Sequence, residues 1–455
     1  SHNTLVDGQN WTAFSPRIGL AWQPLKNRPN IIMRVGYGIF YSAVPGTYSI
    51  GVSEQQPFYA SVIAGGANNS GVTFQNPFPN VPSISQFPLY KPVSLGSNPT
   101  VYPYDPALTQ PRTQEYSGNI QAEVKRVVFQ AGYVGSQTTN LVGFVAPNQA
   151  GLASVANPIH GQTTNTLSNL LLRVPFIGFT PGVDGIGAFM NTYCTSEQAC
   201  ASNPYSGKPF WSRYNSFQMS ATKRYSKGLS LSGAYTWSHA VDNLNGSTSG
   251  RQQSLGGLTG DFHNPAVGPS NFVRTNVFTG SYLYEIPKFA GLKGFRNLAL
   301  NGWSLSGLVV VESGLPFSVT DSRGGTIVGS NGSFAQFAPG YGPSDVALSS
   351  PSLRRYFNTL AFTAPPTVGN GTGLGNSPRT FMTGPGFWNT DLAVVKTFPV
   401  RDRFNAEFRT EFFNLFNHAN FANPGSSLSS PSSFGVISST VSAPRIMQLA
   451  IRIHF

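Results

Sequence analysis

Few residues in this sequence have the types and spacing that enzymatic chemistry requires. His239 and Asp242, in the stretch SHAVDN, could share a proton as an acid–base pair. They stand where a predicted strand meets a long loop, and we assign the pair no catalytic role. The six histidines show no metal-ligand spacing, and the H-E-x-x-H, phosphate-loop and G-x-S-x-G motifs do not occur. We therefore expect a protein that is not an enzyme and that has no cofactor and no metal site.

The two cysteines enclose a short polar segment, CTSEQAC, from Cys194 to Cys200. A metal or redox pair is one interpretation, but the spacing fits neither a zinc pattern nor C-x-x-C. The favoured interpretation is a small loop closed by a disulfide between Cys194 and Cys200, formed in an oxidising compartment.

Alternation of apolar and polar residues places several charges on one face of neighbouring strands. A hairpin that turns near Val400 would set Asp391 opposite Arg409. Such charges could line a path for a solute, or they could form a structural ladder of cross-strand pairs, which we favour. The predicted polar-face charges are Asp391, Glu407, Arg409, Glu411 and Arg452.

A long connection over residues 42–112 contains many prolines and aromatic rings, among them Tyr90, Tyr102 and Tyr104. Long loops are common places for recognition, and these rings could stack on a sugar or a peptide. They could equally pack the loop on itself, and both interpretations stay open.

These residues must be positioned by strands, because apolar side chains recur with a period of two. In the stretch 403–416 the even positions are mainly apolar and the odd positions carry four charges. Several such segments are longer than the roughly five or six residues of a globular strand and suit a tilted strand that crosses a bilayer. Eleven segments show this pattern: 17–24, 31–41, 113–125, 127–137, 213–225, 229–241, 272–287, 299–312, 387–398, 403–416 and 444–455.

The connections between these segments alternate between short and long. This alternation predicts an antiparallel transmembrane β-barrel with short periplasmic turns and long extracellular loops. The segment 444–455 follows a long extracellular loop, so it runs from the outside toward the periplasm. Because the direction alternates from one strand to the next, the first of the eleven segments, 17–24, also runs toward the periplasm. A complete barrel has an even number of strands and both ends in the periplasm, so we expect a truncated chain. About eleven strands are half of the roughly 22 found in plugged outer-membrane transporters.

Composition agrees with a membrane protein that crosses with strands. Hydrophobic residues make up 40% and aromatic residues 13%, which excludes general disorder. The net charge of +12 comes from a shortage of acids and not from a basic run, so we expect no nucleic-acid partner. No apolar run reaches the roughly 18 residues of a transmembrane helix.

The chain ends on alternating apolar residues and a final aromatic: Leu449, Ile451, Ile453 and Phe455. Outer-membrane barrels commonly end this way. We expect these residues to form a signal that the barrel-assembly machinery recognises, and we expect Leu231, Tyr235, Phe408 and Ile451 to face outer-membrane lipid.

A set of motifs, in order along almost the whole chain, resembles the C-terminal barrel half of Oar-like TonB-dependent receptors. This family carries a plug and a carboxypeptidase-regulatory-like module before the barrel. The resemblance implies a receptor in the outer membrane of Gram-negative bacteria that imports a large solute such as an oligosaccharide, a peptide or a metal chelate. The motifs are PRIGLAW (16–22), RVGYGIFY (34–41), GYVGSQTTNL (132–141), YSKGLSLSGAYTWSHAVDN (225–243), ESGLPFSV (312–319) and EFRTEFFNLFNHANFANP (407–424).

The chain departs from the family pattern because residues 1–455 contain no plug, signal peptide or TonB box. The resemblance therefore implies contact with TonB only through a missing N-terminal part, and no ligand residue of the family can be carried over. A structural or adhesive outer-membrane barrel without import is the alternative. A secreted carbohydrate-binding protein is a weaker one, because long strands present apolar residues outward.

Overall fold

The protein is described by a computed structural model over residues 13–25, 30–42, 73–76, 110–141, 143–145, 150–175, 192–194, 210–243, 267–324, 326–328, 333–365, 373–401 and 404–454. Its main feature is one sheet of twelve strands. Eleven of them follow one another through the sheet in chain order, each antiparallel to the next. The eleven predicted strands are therefore confirmed.

The bounds of the eleven strands agree with the sequence pattern to within a few residues. The twelfth strand, Gly268–Pro269, pairs with the end of β6. The eleven are β1 (Arg17–Trp22), β2 (Ile31–Tyr41), β3 (Arg112–Val124), β4 (Val127–Leu141), β5 (Phe210–Ser226), β6 (Leu229–Asp242), β7 (Asn276–Glu285), β8 (Trp303–Glu312), β9 (Phe387–Arg401), β10 (Phe404–Phe413) and β11 (Ile446–His454).

All long connections leave the sheet at one edge, because consecutive strands are antiparallel neighbours. We call this the long-loop edge and the opposite one the short-turn edge. The predicted alternation is thus confirmed. The long-loop edge carries 42–111, 142–209, 243–275, 313–386 and 414–445, and the short-turn edge carries 23–30, 125–126, 227–228, 286–302 and 402–403.

One short-turn connection contains a helix, α1 (Gly294–Leu300), which the sequence pattern did not predict. The strand predicted from residue 299 begins instead at Trp303. Gly302 accounts for this difference, because its φ of +80° favours glycine and a Cβ there would lie 2.5 Å from the carbonyl oxygen of Thr397. Within the described ranges, no helix combines the length and the apolar character needed to cross a membrane.

The strand register gives the sheet an apolar face and a polar face. Leu231 lies opposite Tyr282, and Phe408 lies opposite Ile451. Following the register from strand to strand places Leu231, Tyr235, Phe408 and Ile451 on the same face. Large apolar side chains stay exposed there, and Ile451 is 74% exposed. The opposite face carries mainly serine, threonine, glutamine and charged residues.

The two outermost strands of the sheet are β1 and β11. Among the described residues, β1 pairs with β2 alone and β11 pairs with β10 alone. Each therefore leaves one row of backbone donors and acceptors without a strand partner in the described part of the chain.

A buried apolar cluster lies outside the sheet, among the long loops. Its rings come from connections 313–386 and 414–445, and Phe357 meets Phe434 edge-on with 5.2 Å between ring centroids. Two-stranded pairs frame the cluster: Pro316–Phe317 with Met382–Thr383, Thr320–Asp321 with Ser333–Phe334, Gln336–Phe337 with Phe362–Thr363, and Ala347–Ser352 with Arg355–Phe357. The long connections also contain four short 3-10 helices: Leu170–Leu172, Thr326–Val328, Pro343–Asp345 and Thr359–Ala361. Gly143–Val145 pairs with Thr192–Cys194 in another long loop.

Candidate functional site: the polar face and the loop layer

A row of charges lies on the polar face of β10. The guanidinium of Arg409 is 3.1 Å from the carboxylate of Glu407 and 3.2 Å from that of Glu411. The three residues are two positions apart, so strand alternation puts their side chains on one face. All three side chains keep access to solvent, and Arg409 is 40% exposed. The row is therefore a solvent-accessible surface that could contact a polar solute.

The prediction that Asp391 lies opposite Arg409 is wrong. Val395 lies opposite Arg409, because β9 continues past Val400 and the hairpin turns between Arg401 and Phe404. A register irregularity between Pro399 and Arg401 accompanies this later turn.

Asp391 stays on the polar face but has a different role from the one predicted. Its Oδ1 accepts hydrogen bonds from the backbone N of Asn414, at 2.9 Å, and from the side chain of Asn389, at 2.8 Å. Asn414 has a positive φ of 52° and begins the connection 414–445. Asp391 thus fixes the point where a long loop leaves the sheet.

Arg452 joins the charge row from the neighbouring strand. It lies opposite Glu407 in the β10–β11 register and is exposed. Glu407 therefore has Arg409 on its own strand and Arg452 on the next. The solute path and the structural ladder both stay predictions for this row.

Buried polar residues connect the long loops to one another and to the sheet, and we call each such connection a joint. The first joint is made by Asp321. Its side chain is fully buried, and its carboxylate accepts hydrogen bonds from Arg323 and Ser429, both at 2.7 Å. Burial alone would raise the pKa of Asp321, but the hydrogen bonds from Arg323 and Ser429 outweigh it and hold that pKa below its ordinary value. Because Ser429 belongs to connection 414–445, Asp321 ties that loop to 313–386.

A second joint is the ion pair between Asp242 and Arg379, whose atoms lie 2.7 Å apart with 5% and 9% of the side chains exposed. Arg379 also donates to the backbone oxygen of Asp242 at 2.8 Å. The joint connects the end of β6 to loop 313–386. His239 lies on the other face of β6, so it forms no acid–base pair with Asp242.

A third joint is Arg173, which is only 1% exposed. It donates to the backbone oxygen of Gly151 at 2.6 Å, to Asn169 Oδ1 at 2.9 Å and to the backbone oxygen of Ile327. Burial lowers the pKa of Arg173. Since Ile327 belongs to loop 313–386, the described parts of three long loops form one connected body, which we call the loop layer.

Several predicted site residues lie outside the described residues. They are Tyr90, Tyr102, Tyr104, Cys200 and Phe455. The backbone of Cys194 lies opposite Gly143 in a short strand pair, and its side chain is outside the description, so the disulfide stays a prediction. Leu449, Ile451 and Ile453 share the apolar face and are 63–74% exposed.

Sequence reasoning missed the loop layer. A signal for it was present, since buried rings such as Phe317, Phe337, Phe357 and Phe362 all fall within one connection that is too apolar for an unfolded loop. Within the described ranges, no three His, Cys, Asp or Glu side chains are grouped closely enough to hold a metal ion.

Comparison with known proteins gives one family match. Residues 1–448 match the family described as Outer membrane beta barrel domain. No curated protein matches this chain.

Solved structures of similar shape include three outer-membrane proteins. The outer membrane transporter YddB from Escherichia coli has a TM-score of 0.47 and 9% identity, over 97% of this chain and 40% of that one. A ferric enterobactin receptor variant from Pseudomonas aeruginosa has a TM-score of 0.41 and 10% identity, over 97% of this chain and 40% of that one. The ferric-catecholate import receptor Fiu from E. coli has a TM-score of 0.37 and 12% identity, over 96% of this chain and 34% of that one. The chain thus spans well under half of each structure, and likeness at this level carries no inference about ligands.

Proposed function

The chain belongs to the outer membrane beta barrel domain family and lies in the outer membrane, and from this premise we propose that it forms the C-terminal half of a TonB-dependent receptor barrel of the Oar-like group. Its function is then energised uptake of a large solute: an oligosaccharide, a peptide or a metal chelate. The whole protein would contact TonB through a part that lies before this chain.

The observation that carries the proposal is the pair of open edges at β1 and β11. Inside a bilayer no water can satisfy free backbone groups, so a spanning sheet must close on itself. Closure through about eleven additional strands would give a barrel of roughly 22, a size that encloses a plugged lumen. The order of the strands supports this, because in the described part of the chain the eleven long strands pair in chain order, and the one further strand of the sheet, Gly268–Pro269, pairs with the end of β6.

The polar face and the loop layer support passage of a solute. The row of Glu407, Arg409 and Glu411 would line the lumen, and the loop layer would lie above it on the extracellular side. Recognition residues are often carried on loops that a rigid scaffold positions. Tyr90, Tyr102 and Tyr104 remain candidates for contacts with the solute.

The apolar face would contact outer-membrane lipid. Ile451 and Leu449 expose 74% and 65% of their surface there. With Ile453 and Phe455 they would form the signal read by the barrel-assembly machinery.

A structural or adhesive barrel without import is the second candidate. The buried pair of Asp242 and Arg379 is compatible with it, because a tightly held loop layer presents a fixed surface.

A measurement of which solutes the cells remove from the medium distinguishes the two candidates. Cells with the intact gene, cells lacking the gene and cells lacking TonB are given a mixture of peptides, oligosaccharides and metal chelates, and its depletion is followed by mass spectrometry. If the protein imports a solute, one chemical class should disappear from the medium only with cells that have both the intact gene and TonB. Equal depletion by all three strains, with a loss of surface attachment in the gene deletion, would instead establish the adhesive candidate.

A further inference from the structure

Connection 286–302 is unlike the other turns at the short-turn edge, because it contains the one α-helix among the described residues. Two side chains from the apolar face fix α1 in place. Trp303 Nε1 donates to the backbone oxygen of Ala299 at 2.8 Å, and Lys396 Nζ reaches the same oxygen at 3.3 Å and also that of Asn301. Trp303 and Lys396 are register partners on the apolar face. The end of α1 therefore lies against the rim of that face.

Lys396 shows how closely this contact is built. Only 2% of the residue is exposed, and its ammonium also lies 5.0 Å from the ring centroid of Trp303 and 5.2 Å from that of Phe398. A cation placed at the last carbonyl groups of a helix is stabilised by the helix dipole. The lysine thus holds α1 and at the same time keeps its own charge away from the apolar surface.

In the described part of the chain, nothing buries the apolar side chains on the rest of the helix. None of the residues of α1 is buried. Phe295 is 82% exposed and Leu298 is 42% exposed, three positions apart and so on the same side of the helix. Phe289, just before the helix, is 55% exposed.

Positive charge surrounds these apolar residues. Lys288, Lys293 and Arg296 are all exposed, and residues 286–302 include no Asp or Glu. Apolar side chains mixed with cations on a short helix are typical of segments that lie in the headgroup region of a membrane. We call Lys288, Phe289, Lys293, Phe295, Arg296 and Leu298 the rim patch.

A recess of about 530 Å³ adjoins the rim patch. Lys227 and Lys288 line it together with the indole of Trp303, so it offers both cations and an apolar wall. The one carboxylate in its lining, Glu285, accepts a hydrogen bond from Tyr225 at 2.5 Å. The recess has the size and the chemistry for a phosphate headgroup.

We propose that the rim patch and its recess bind an anionic phospholipid of the periplasmic leaflet. Acyl chains would lie along the apolar face beside Trp303, and the phosphate would be held by Lys288, Lys293 and Arg296 with Lys227 in the recess. The continuity of the patch with the apolar face favours lipid over a protein partner. The proposal rests on the membrane location of the family and is independent of solute import.

The first test counts bound lipid. The whole protein that contains this chain is purified from outer membranes in mild detergent, exchanged into mixtures of phosphatidylglycerol and phosphatidylcholine, and examined by native mass spectrometry. The variant Lys288→Gln/Lys293→Gln/Arg296→Gln should lose its preference for phosphatidylglycerol by roughly 100-fold, since each of these three cations would contribute about fivefold where it lies against the bound headgroup. The control Lys125→Gln/Arg126→Gln/Arg224→Gln removes the same charge from the turn 125–126 and the adjoining strand β5, at the same edge but outside the rim patch, and should keep the preference. Equal loss in both variants, or in neither, overturns the proposal.

The second test asks where the helix lies. The second variant, Phe295→Trp in the same protein, is reconstituted in vesicles. After the parent signal is subtracted, the fluorescence of the new tryptophan should be quenched by lipids brominated close to the headgroup end of the acyl chain. Quenching by aqueous acrylamide alone would place the residue in water or against a polar partner and would overturn the proposal. A gel that compares heated and unheated samples confirms that each variant is folded.

Discussion

The carboxylate of Asp242 lies 2.7 Å from the guanidinium of Arg379, and both side chains are more than nine-tenths buried. Asp242 ends β6, whereas Arg379 belongs to a loop 137 residues further along the chain. The contact therefore fixes the loop layer to the sheet.

Removing one partner of this pair should free the loop layer. Arg379→Met leaves the buried carboxylate of Asp242 without its guanidinium partner, while Ser270 still donates a hydrogen bond to it, and breaking a buried ion pair in this way costs about 3–5 kcal/mol. We expect external protease to cleave the loops of whole cells faster, while the sheet stays folded on a heat-modifiability gel. Arg354→Met, at an exposed position of the same loop, is the control. Adding Asp242→Asn to Arg379→Met should restore part of the protection, and no restoration would mean that the ion pair is not the cause.

Acid should open the joint at Asp321. Because the folded state lowers the pKa of Asp321, the joint contributes stability above the unfolded pKa of about 3.8 and loses it as the pH falls through the lower folded value. Pepsin digestion between pH 2 and 4 should therefore cut near residues 320–324 and 426–429 more readily as the pH falls. Asp321→Asn should be cut at every pH in this range, whereas Asp345→Asn, an exposed loop carboxylate, should behave as the parent does.

The two faces of the sheet should differ in their tolerance of arginine. Leu231→Arg, Phe408→Arg or Ile451→Arg puts a charge on the apolar face, at a cost of roughly 2–4 kcal/mol near the bilayer centre. Ser232→Arg and Thr236→Arg change the polar face and should cost much less, and so should Arg452→Lys. Urea unfolding in lipid vesicles measures the difference. Equal tolerance of both faces would contradict the assignment.

The chain without further strands should not behave as a soluble monomer. The free edges of β1 and β11 expose backbone groups and apolar side chains, which favours association. Residues 1–455 expressed alone should aggregate in buffer and need detergent, as followed by light scattering. A stable monomer in detergent-free buffer would argue against a half-barrel.

The last residues should control assembly. Phe455→Ala removes the terminal aromatic residue and should lower the amount of folded protein in outer-membrane fractions, because aromatic side chains anchor strands at the interface. His454→Ala should matter less, since it belongs to the other face by strand alternation. Unchanged assembly of Phe455→Ala would show that the terminus is only the end of a strand.

Strands and faces could be predicted here because period-two alternation is a local property. The pattern around Phe408 and Ile451 sets which face is apolar without reference to the rest of the chain. The hairpin between β9 and β10 shows the limit, because a turn two residues later moved Val395 into the place predicted for Asp391. The loop layer was not predictable in the same way, since Phe317, Phe357 and Phe434 come from distant segments without periodicity.

Arg173, Asp321 and Arg379 tie the described parts of the long loops into one body, so the structure of each loop depends on the others. A substitution in one loop changes the packing of its neighbours. If the loop layer binds the proposed solute, a change of specificity requires coordinated substitutions, and exchange of the whole layer between related barrels is the simplest route to a new ligand.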